Sequence, residues 1–217
     1  MEPFRIKQAE FVTSMTRLSE YPKAGLPEVA LAGKSNVGKS SLINVLANNY
    51  KLAHTSSRPG KTRFVNFFRI NGSFFLVDLP GYGFSRAAKA VQEGWARLVE
   101  GYLCSSAKLR HVYLLVDIRH DPTAEDRQMR DWLVHYGVRF TVVATKCDKI
   151  ARSKWRRHTD NIAKKLSLGH GTKVIPVSVP MRIGCEELTA SIGEALEPKG
   201  NDGTVEFPGL IDDRRDN

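Results

Sequence analysis

Residues 33–40 read GKSNVGKS, the GxxxxGKS spacing of a phosphate-binding loop. Gly33 and Gly38 let the backbone bend so that successive N–H groups, through Lys34, Ser35, Asn36 and Val37, turn toward phosphate oxygens. A helix opening directly after the loop adds the positive end of its dipole. Lys39 brings a point charge to the β- and γ-phosphates, and Ser40 offers a hydroxyl to Mg²⁺. Ser41, next on the helix, suits a hydrogen bond to the α-phosphate. The chemistry of this stretch is nucleoside triphosphate binding.

Three further clusters bear on the base and the third phosphate. Residues 145–148, TKCD, follow the TKxD form of a guanine motif. Asp148 can accept from guanine N1–H and N2–H₂ together, whereas adenine presents neither donor and would leave the carboxylate unpaired. The stem of Lys146 would lie over the base. Ser178 and Val179, at the end of the last strand-like run, stand where backbone N–H groups would meet guanine O6, and Val177 precedes them. Residues 78–83 read DLPGYG. Asp78 can hold Mg²⁺ through water, and the N–H of Gly81 can meet the γ-phosphate, its missing side chain permitting close approach. Tyr82 stands where a water-orienting Gln is found in Ras-like enzymes, so hydrolysis is expected to be slow without an ion, a distant residue or a partner's surface to help. For the second protein hydroxyl on Mg²⁺, the polar loop TSSRPGKTR (55–63) offers Thr62 and Thr55, which these residues alone do not separate.

Positioning such groups takes alternating strands and helices. Apolar runs at 28–33, 64–70, 74–79, 111–118, 140–145 and 174–178 read as strands. Helical patterns occupy 39–48, 88–106, 123–136, 152–167 and 184–196. Asn71-Gly72 between two strand-like runs is a hairpin signal. The alternation implies a three-layer α/β domain around a mostly parallel six-stranded sheet with one antiparallel edge strand. The expected organisation is an N-terminal extension packed on the domain (1–25), the nucleotide-binding domain (26–197) and a flexible tail (198–217). Residues 11–22 suit a short strand and a turn. Trp95 and the segment after it read as core and helix surface, without a functional role.

At 217 residues, 41% of them apolar, the chain can bury one substantial core. No run approaches the ~20 apolar residues of a membrane span. The N-terminus lacks the apolar stretch of a signal peptide, so the expected location is the cytoplasm. Cys104, Cys147 and Cys185 are too few and too scattered for a disulfide framework or a zinc site. The net charge of +10 favours a polyanionic partner. Residues 149–166 concentrate it: Lys149, Arg152, Lys154, Arg156, Arg157, Lys164 and Lys165 stand against Asp160 alone. This segment reads as a helix with Ile150, Trp155, Ile162 and Leu166 turned inward.

Taken together, GKSNVGKSSLINVLAN, SSRPGKTRFVNFFRI, DLPGYGF and ATKCDK resemble the EngB family of ribosome-biogenesis GTPases, also called YihA or YsxC, relatives of Era and EngA. The likeness spans about residues 10–195. It implies a Ras-like domain that binds GTP or GDP with Mg²⁺, acts in assembly of the large ribosomal subunit, and contributes to completing the division septum. It selects Thr62, within Gly60-Lys61-Thr62, over Thr55, and so gives Ser40, Thr62 and Asp78 as the Mg²⁺ residues. It further implies that Lys39, Thr62 and Gly81 act at the γ-phosphate, that Asp78, Leu79, Pro80 and Gly81 form its switch, and that Thr145, Lys146, Cys147 and Asp148 hold guanine. SVPMRIG (178–184) departs from the family's small Ser-rich run, leaving the base contact open among 177–179. In several relatives an Asn at the position of Asn36 helps to hold K⁺ near the β–γ bridge; here it serves either that purpose or the turn. The expected partner is the large-subunit precursor and its rRNA, met by a monomer. DNA is not expected as a partner. The competing readings are a GTP-gated binding module with negligible hydrolysis and an ATP-using P-loop kinase, which TKxD disfavours.

Overall fold

The computed structural model describes residues 4–53, 64–83, 89–169 and 172–197. Thr55, Gly60, Lys61, Thr62 and the tail from 198 fall outside the described residues. Seven strands form one sheet: β1 (Ala9–Met15), β2 (Glu28–Gly33), β3 (Val65–Ile70), β4 (Phe74–Asp78), β5 (Leu109–Asp117), β6 (Phe140–Thr145) and β7 (Val174–Val177). Five α-helices accompany it: α1 (Lys39–Leu46), α2 (Lys89–Ser105), α3 (Ala124–His135), α4 (Trp155–Lys165) and α5 (Cys185–Leu196). The strand order is β1-β3-β4-β2-β5-β6-β7.

Strands β4, β2, β5, β6 and β7 are mutually parallel, and β3 pairs antiparallel with both β1 and β4. Two features of the expected sheet are corrected. It has seven strands rather than six, and β3 is not an edge, because β1 pairs along it from Ala9↔Ile70 to Met15↔Val65 with a bulge near Phe11. The physical reason is burial. Only Met15 of β1 is buried, so the strand carries little apolar periodicity, and its placement comes from backbone bonding to β3, far along the chain.

Each inner strand divides its side chains between the two faces. From β2, Ala30 and Ala32 join Val112, Leu114, Val142 and Ala144 on one face, covered by Tyr102 and Leu103 of α2, Leu133 of α3 and Ile162 of α4. Val29 and Leu31 join Leu115, Val143 and Ile175 on the other, covered by Leu42 and Ile43 of α1 and Leu188 and Ile192 of α5. That is the three-layer arrangement a parallel sheet requires. At the foot of the sheet, buried Glu28 accepts from Tyr102 Oη at 2.7 Å and Ser106 Oγ at 2.9 Å, and also from Tyr21 Oη. This network ties the N-terminal segment to β2 and α2. Strand order reverses at β2, whose neighbours β4 and β5 lead to opposite sides, and the crevice beyond the carboxyl ends of strands at such a point is the favoured ligand site of open α/β sheets.

Candidate nucleotide-binding site

The described motif residues gather at that carboxyl edge. β2 ends at Gly33 and α1 begins at Lys39, so the phosphate-loop residues form the strand-to-helix connection. Gly33 cannot be replaced without movement, since a Cβ there would lie 2.7 Å from the Leu115 carbonyl oxygen and 2.9 Å from Val37 Cγ1. Asn36 and Gly38 have φ of 63° and 113°. Asn is among the few side chains that tolerate this region, so the turn gives one reason for Asn36.

Lys39 is buried, with Nζ donating to the Gly33 carbonyl at 3.0 Å. Burial pushes its pKa down, while the charge of Asp78 opposes that. Asp78, the last residue of β4, is 2% exposed and accepts from Ser40 Oγ at 3.3 Å. Burial pushes its carboxyl pKa up, against the pull of Lys39 and Ser40. Its Oδ1 is buried without a hydrogen-bond partner among the described residues. A buried carboxylate oxygen left alone is costly, and one beside a serine hydroxyl at a phosphate loop has the donor set of a hard cation. Lys39, with a single bond to the loop, keeps ammonium protons for an anion. The residues therefore fit a polyanion with its cation.

Beyond Asp78, the chain turns back against the phosphate loop. Leu79 N–H donates to the Leu31 carbonyl at 3.0 Å, and Ser35 N–H to the Tyr82 carbonyl at 2.9 Å. A Cβ on Gly81 would lie 2.8–3.0 Å from Ser35 atoms. Tyr82 is buried, and its hydroxyl donates to Asp126 Oδ1 of α3 at 2.7 Å. The ring that replaces a water-orienting Gln therefore points into the domain.

At the end of β6, Thr145 Oγ1 donates to the Val37 and Val116 carbonyls at 2.8 and 3.1 Å. Lys146, with φ 62°, sends Nζ to the Asn36 carbonyl at 2.9 Å and to Asp117 Oδ2 at 3.0 Å. These bonds fasten the guanine motif to the phosphate loop. Although burial alone would raise the pKa of Asp117, hydrogen bonds from Arg119 and Lys146 hold it well below the usual carboxylate range. The thiol of Cys147 is fully buried and pushed up to about 11 by that burial. Asp148 Oδ1 accepts from Ser178 Oγ at 2.7 Å, which with Lys149 at 3.2 Å lowers its pKa. The Ser178 N–H is bound to the Ile183 carbonyl at 3.0 Å. Among the described residues, no acceptor takes the Val179 N–H, while the Ser178 hydroxyl holds the Asp148 carboxylate.

A family model described as a 50S ribosome-binding GTPase matches residues 28–146. Over 202 residues the chain is 47% identical to the probable GTP-binding protein EngB of Clostridioides difficile strain 630, covering 93% of this chain and 100% of that one. The chain belongs to the EngB family of GTP-binding proteins. A crystal structure of a probable EngB covers 78% of this chain and 98% of its own, with a TM-score of 0.66 at 26% identity. Era bound to a GTP analogue and a segment of 16S ribosomal RNA shares the fold, with a TM-score of 0.63 at 24% identity over 81% of this chain and 58% of that one. The fold and the family are those of P-loop GTPases that bind GTP and GDP.

Three residues at this EngB-type site escaped the sequence reading. Asp117 braces Lys146, Asp126 receives Tyr82, and the Trp95 indole N–H donates to the Pro80 carbonyl at 2.8 Å. Asp117 ends a strand beside the phosphate loop, which was a usable signal. Asp126 and Trp95 lie on helices whose register against the loop carries no local mark.

Proposed function

We propose that this protein is a slow GTPase that uses its nucleotide state to gate docking on the large ribosomal subunit during assembly, in the cytoplasm and as a monomer. The observation carrying the nucleotide half is Asp148. Its carboxylate is oriented by Ser178 at 2.7 Å beside a phosphate loop to which Lys146 binds directly, which makes it a ready acceptor pair for guanine. On this reading Ser40 and Asp78, together with Thr62, hold Mg²⁺, which when bound neutralises charge building on the phosphates. Lys39 binds the β- and γ-phosphates, and the Gly81 N–H responds to the γ-phosphate. The carboxylate of Asp148 selects guanine, and the Val179 N–H meets its carbonyl. Slow turnover is supported by Tyr82, whose hydroxyl is held by Asp126 and leaves no side chain at that position to align a water.

The ribosomal half rests on the family model's description and on charge. Lys149, Arg152, Lys154, Arg156, Arg157, Lys164 and Lys165 are all exposed. They lie on α4 and on the short 3₁₀ turns before it, while Ile162 and Leu166 are buried and Ile150 and Trp155 pack against the core. Among the described residues, Arg156 meets only an exposed Asp160 at 3.9 Å, a pair of little worth in water, so its charge is available to RNA phosphates. Co-sedimentation with large subunits in GTP, GDP and nucleotide-free states tests the proposal, and binding should fall steeply with salt. Subunit binding that is insensitive to nucleotide, or unchanged by charge reversal at Arg156 and Arg157, would refute it. The second reading, a GTP-gated binding module with negligible hydrolysis, draws on the same burial of Tyr82. Single-turnover rates with and without subunits decide between the two.

A further inference from the structure

The peptide joining Pro80 to Gly81 carries the N–H assigned to γ-phosphate sensing, and its orientation is set from outside the motif. In a trans peptide the C=O and the following N–H point in opposite directions within one plane. Whatever holds the Pro80 carbonyl therefore fixes where the Gly81 N–H points. The holder is Trp95, in the second turn of α2, whose Nε1–H donates to Pro80 O at 2.8 Å. The indole is itself held. It stacks on Trp132 of α3 with ring centroids 5.8 Å apart and planes 18° from parallel, and it meets the Tyr82 ring edge-on at 5.8 Å.

The other side of Gly81 is equally fastened. Tyr82 bonds Asp126 Oδ1, and Asp126 Oδ2 accepts from the N–H and hydroxyl of Thr123, at 2.8 and 2.9 Å, in the cap that starts α3. Among the described residues, no acceptor takes the Gly81 N–H, so it is available to a ligand. The peptide thus has one free polar group and one group locked by a tryptophan. Turning it requires breaking the indole bond, and the peptide cannot be re-aimed without disturbing α2.

We propose that Trp95 is a positioning residue for GTP recognition: by holding the Pro80 carbonyl, it aims the Gly81 N–H at the γ-phosphate, with Tyr82 and Asp126 fixing the next residue. The inference rests on Gly81 being the γ-phosphate donor, and a Gly81→Ala control separates the two. The experiment compares affinities for GDP and for guanosine 5′-(β,γ-imido)triphosphate in the full chain. Trp95→Phe keeps an aromatic ring but removes the donor. It should lower the triphosphate-to-diphosphate affinity ratio about tenfold while leaving GDP binding within about twofold, a split that a merely structural role would not produce. Tyr82→Phe, which keeps the edge-on contact with Trp95, should shift the same ratio in the same direction by a smaller factor, and covers the case in which Trp95→Phe fails to fold. If Gly81→Ala lowers the ratio while folded Trp95→Phe or Tyr82→Phe leaves it unchanged, the positioning role is overturned. If Gly81→Ala, whose Cβ at 2.8–3.0 Å from Ser35 atoms must displace this N–H, leaves the ratio unchanged, the γ-phosphate role of Gly81 falls.

Discussion

Replacing Asp148 by Asn should invert the base preference, and the structure says which way. Each carboxylate oxygen of Asp148 already has one partner, Oδ1 the Ser178 hydroxyl and Oδ2 the Lys149 ammonium. Each retains a lone pair for one guanine donor. In the variant, one carboxylate oxygen becomes an NH₂ group, which donates and cannot accept. One guanine donor then keeps an acceptor and the other faces a donor. A hydrogen bond to a charged group is worth about 1.5–3 kcal/mol, and at 1.4 kcal/mol per decade its loss weakens GDP binding by about 10- to 150-fold. Xanthine carries a carbonyl in place of the 2-amino group and so matches the new NH₂, while its N1–H keeps the amide oxygen. Competition binding with GDP and xanthosine diphosphate reads both effects. Folded Asp148→Asn protein that binds GDP as the native chain does, or gains nothing for the xanthine nucleotide, would refute the assignment of Asp148 to the base.

Gly33→Ala should cost about 1–3 kcal/mol in thermal or urea unfolding by overpacking, and abolish GDP binding, because its Cβ meets the fixed Leu115 carbonyl at 2.7 Å. Tyr102→Phe removes a buried hydrogen bond to Glu28 and should lower Tm by roughly 3–12 °C, from about 1.5–3 kcal/mol at about 2–4 °C per kcal/mol for a chain of this size. Stability should also fall above pH 10. Burial raises Tyr102 well above the ordinary tyrosine value of 10.0 and pushes Tyr113 up to about 12. The unfolded chain then releases these phenolic protons first, so the stabilisation present below pH 10 is lost as the pH rises through the folded values; urea midpoints between pH 8 and 11 would show the slope. If Asn36 holds K⁺ at the β–γ bridge, GTP hydrolysis should run faster in KCl than in NaCl, and equal rates would leave Asn36 as a turn residue.

Legibility followed the range of the interaction. GKSNVGKS was readable because its function is local: two glycines, a lysine and a serine in fixed succession, between a strand and a helix, define the loop wherever it is placed. Six of the seven strands and all five helices were visible for a similar reason, since strands buried on both faces read as apolar runs and amphipathic helices carry their own period. β1 was read only as a short strand within 11–22 and not as a member of the sheet, because an edge strand with one buried residue carries no apolar period. The bonds that aim the motifs were also silent. DLPGYG marks a turn near phosphate, but nothing in its six letters says that Tyr82 is buried against α3 or that Pro80 bonds a tryptophan fifteen residues on. TKCD offers an acceptor for guanine, but Ser178 thirty residues later orients it and Asn36 receives its lysine. Sequence alone determined which groups are suited to a nucleotide, because chemistry is a property of side chains and spacing. Tertiary structure decided how those groups are held, because orientation depends on hydrogen bonds between elements far apart in the chain, and these exist only once the sheet has closed.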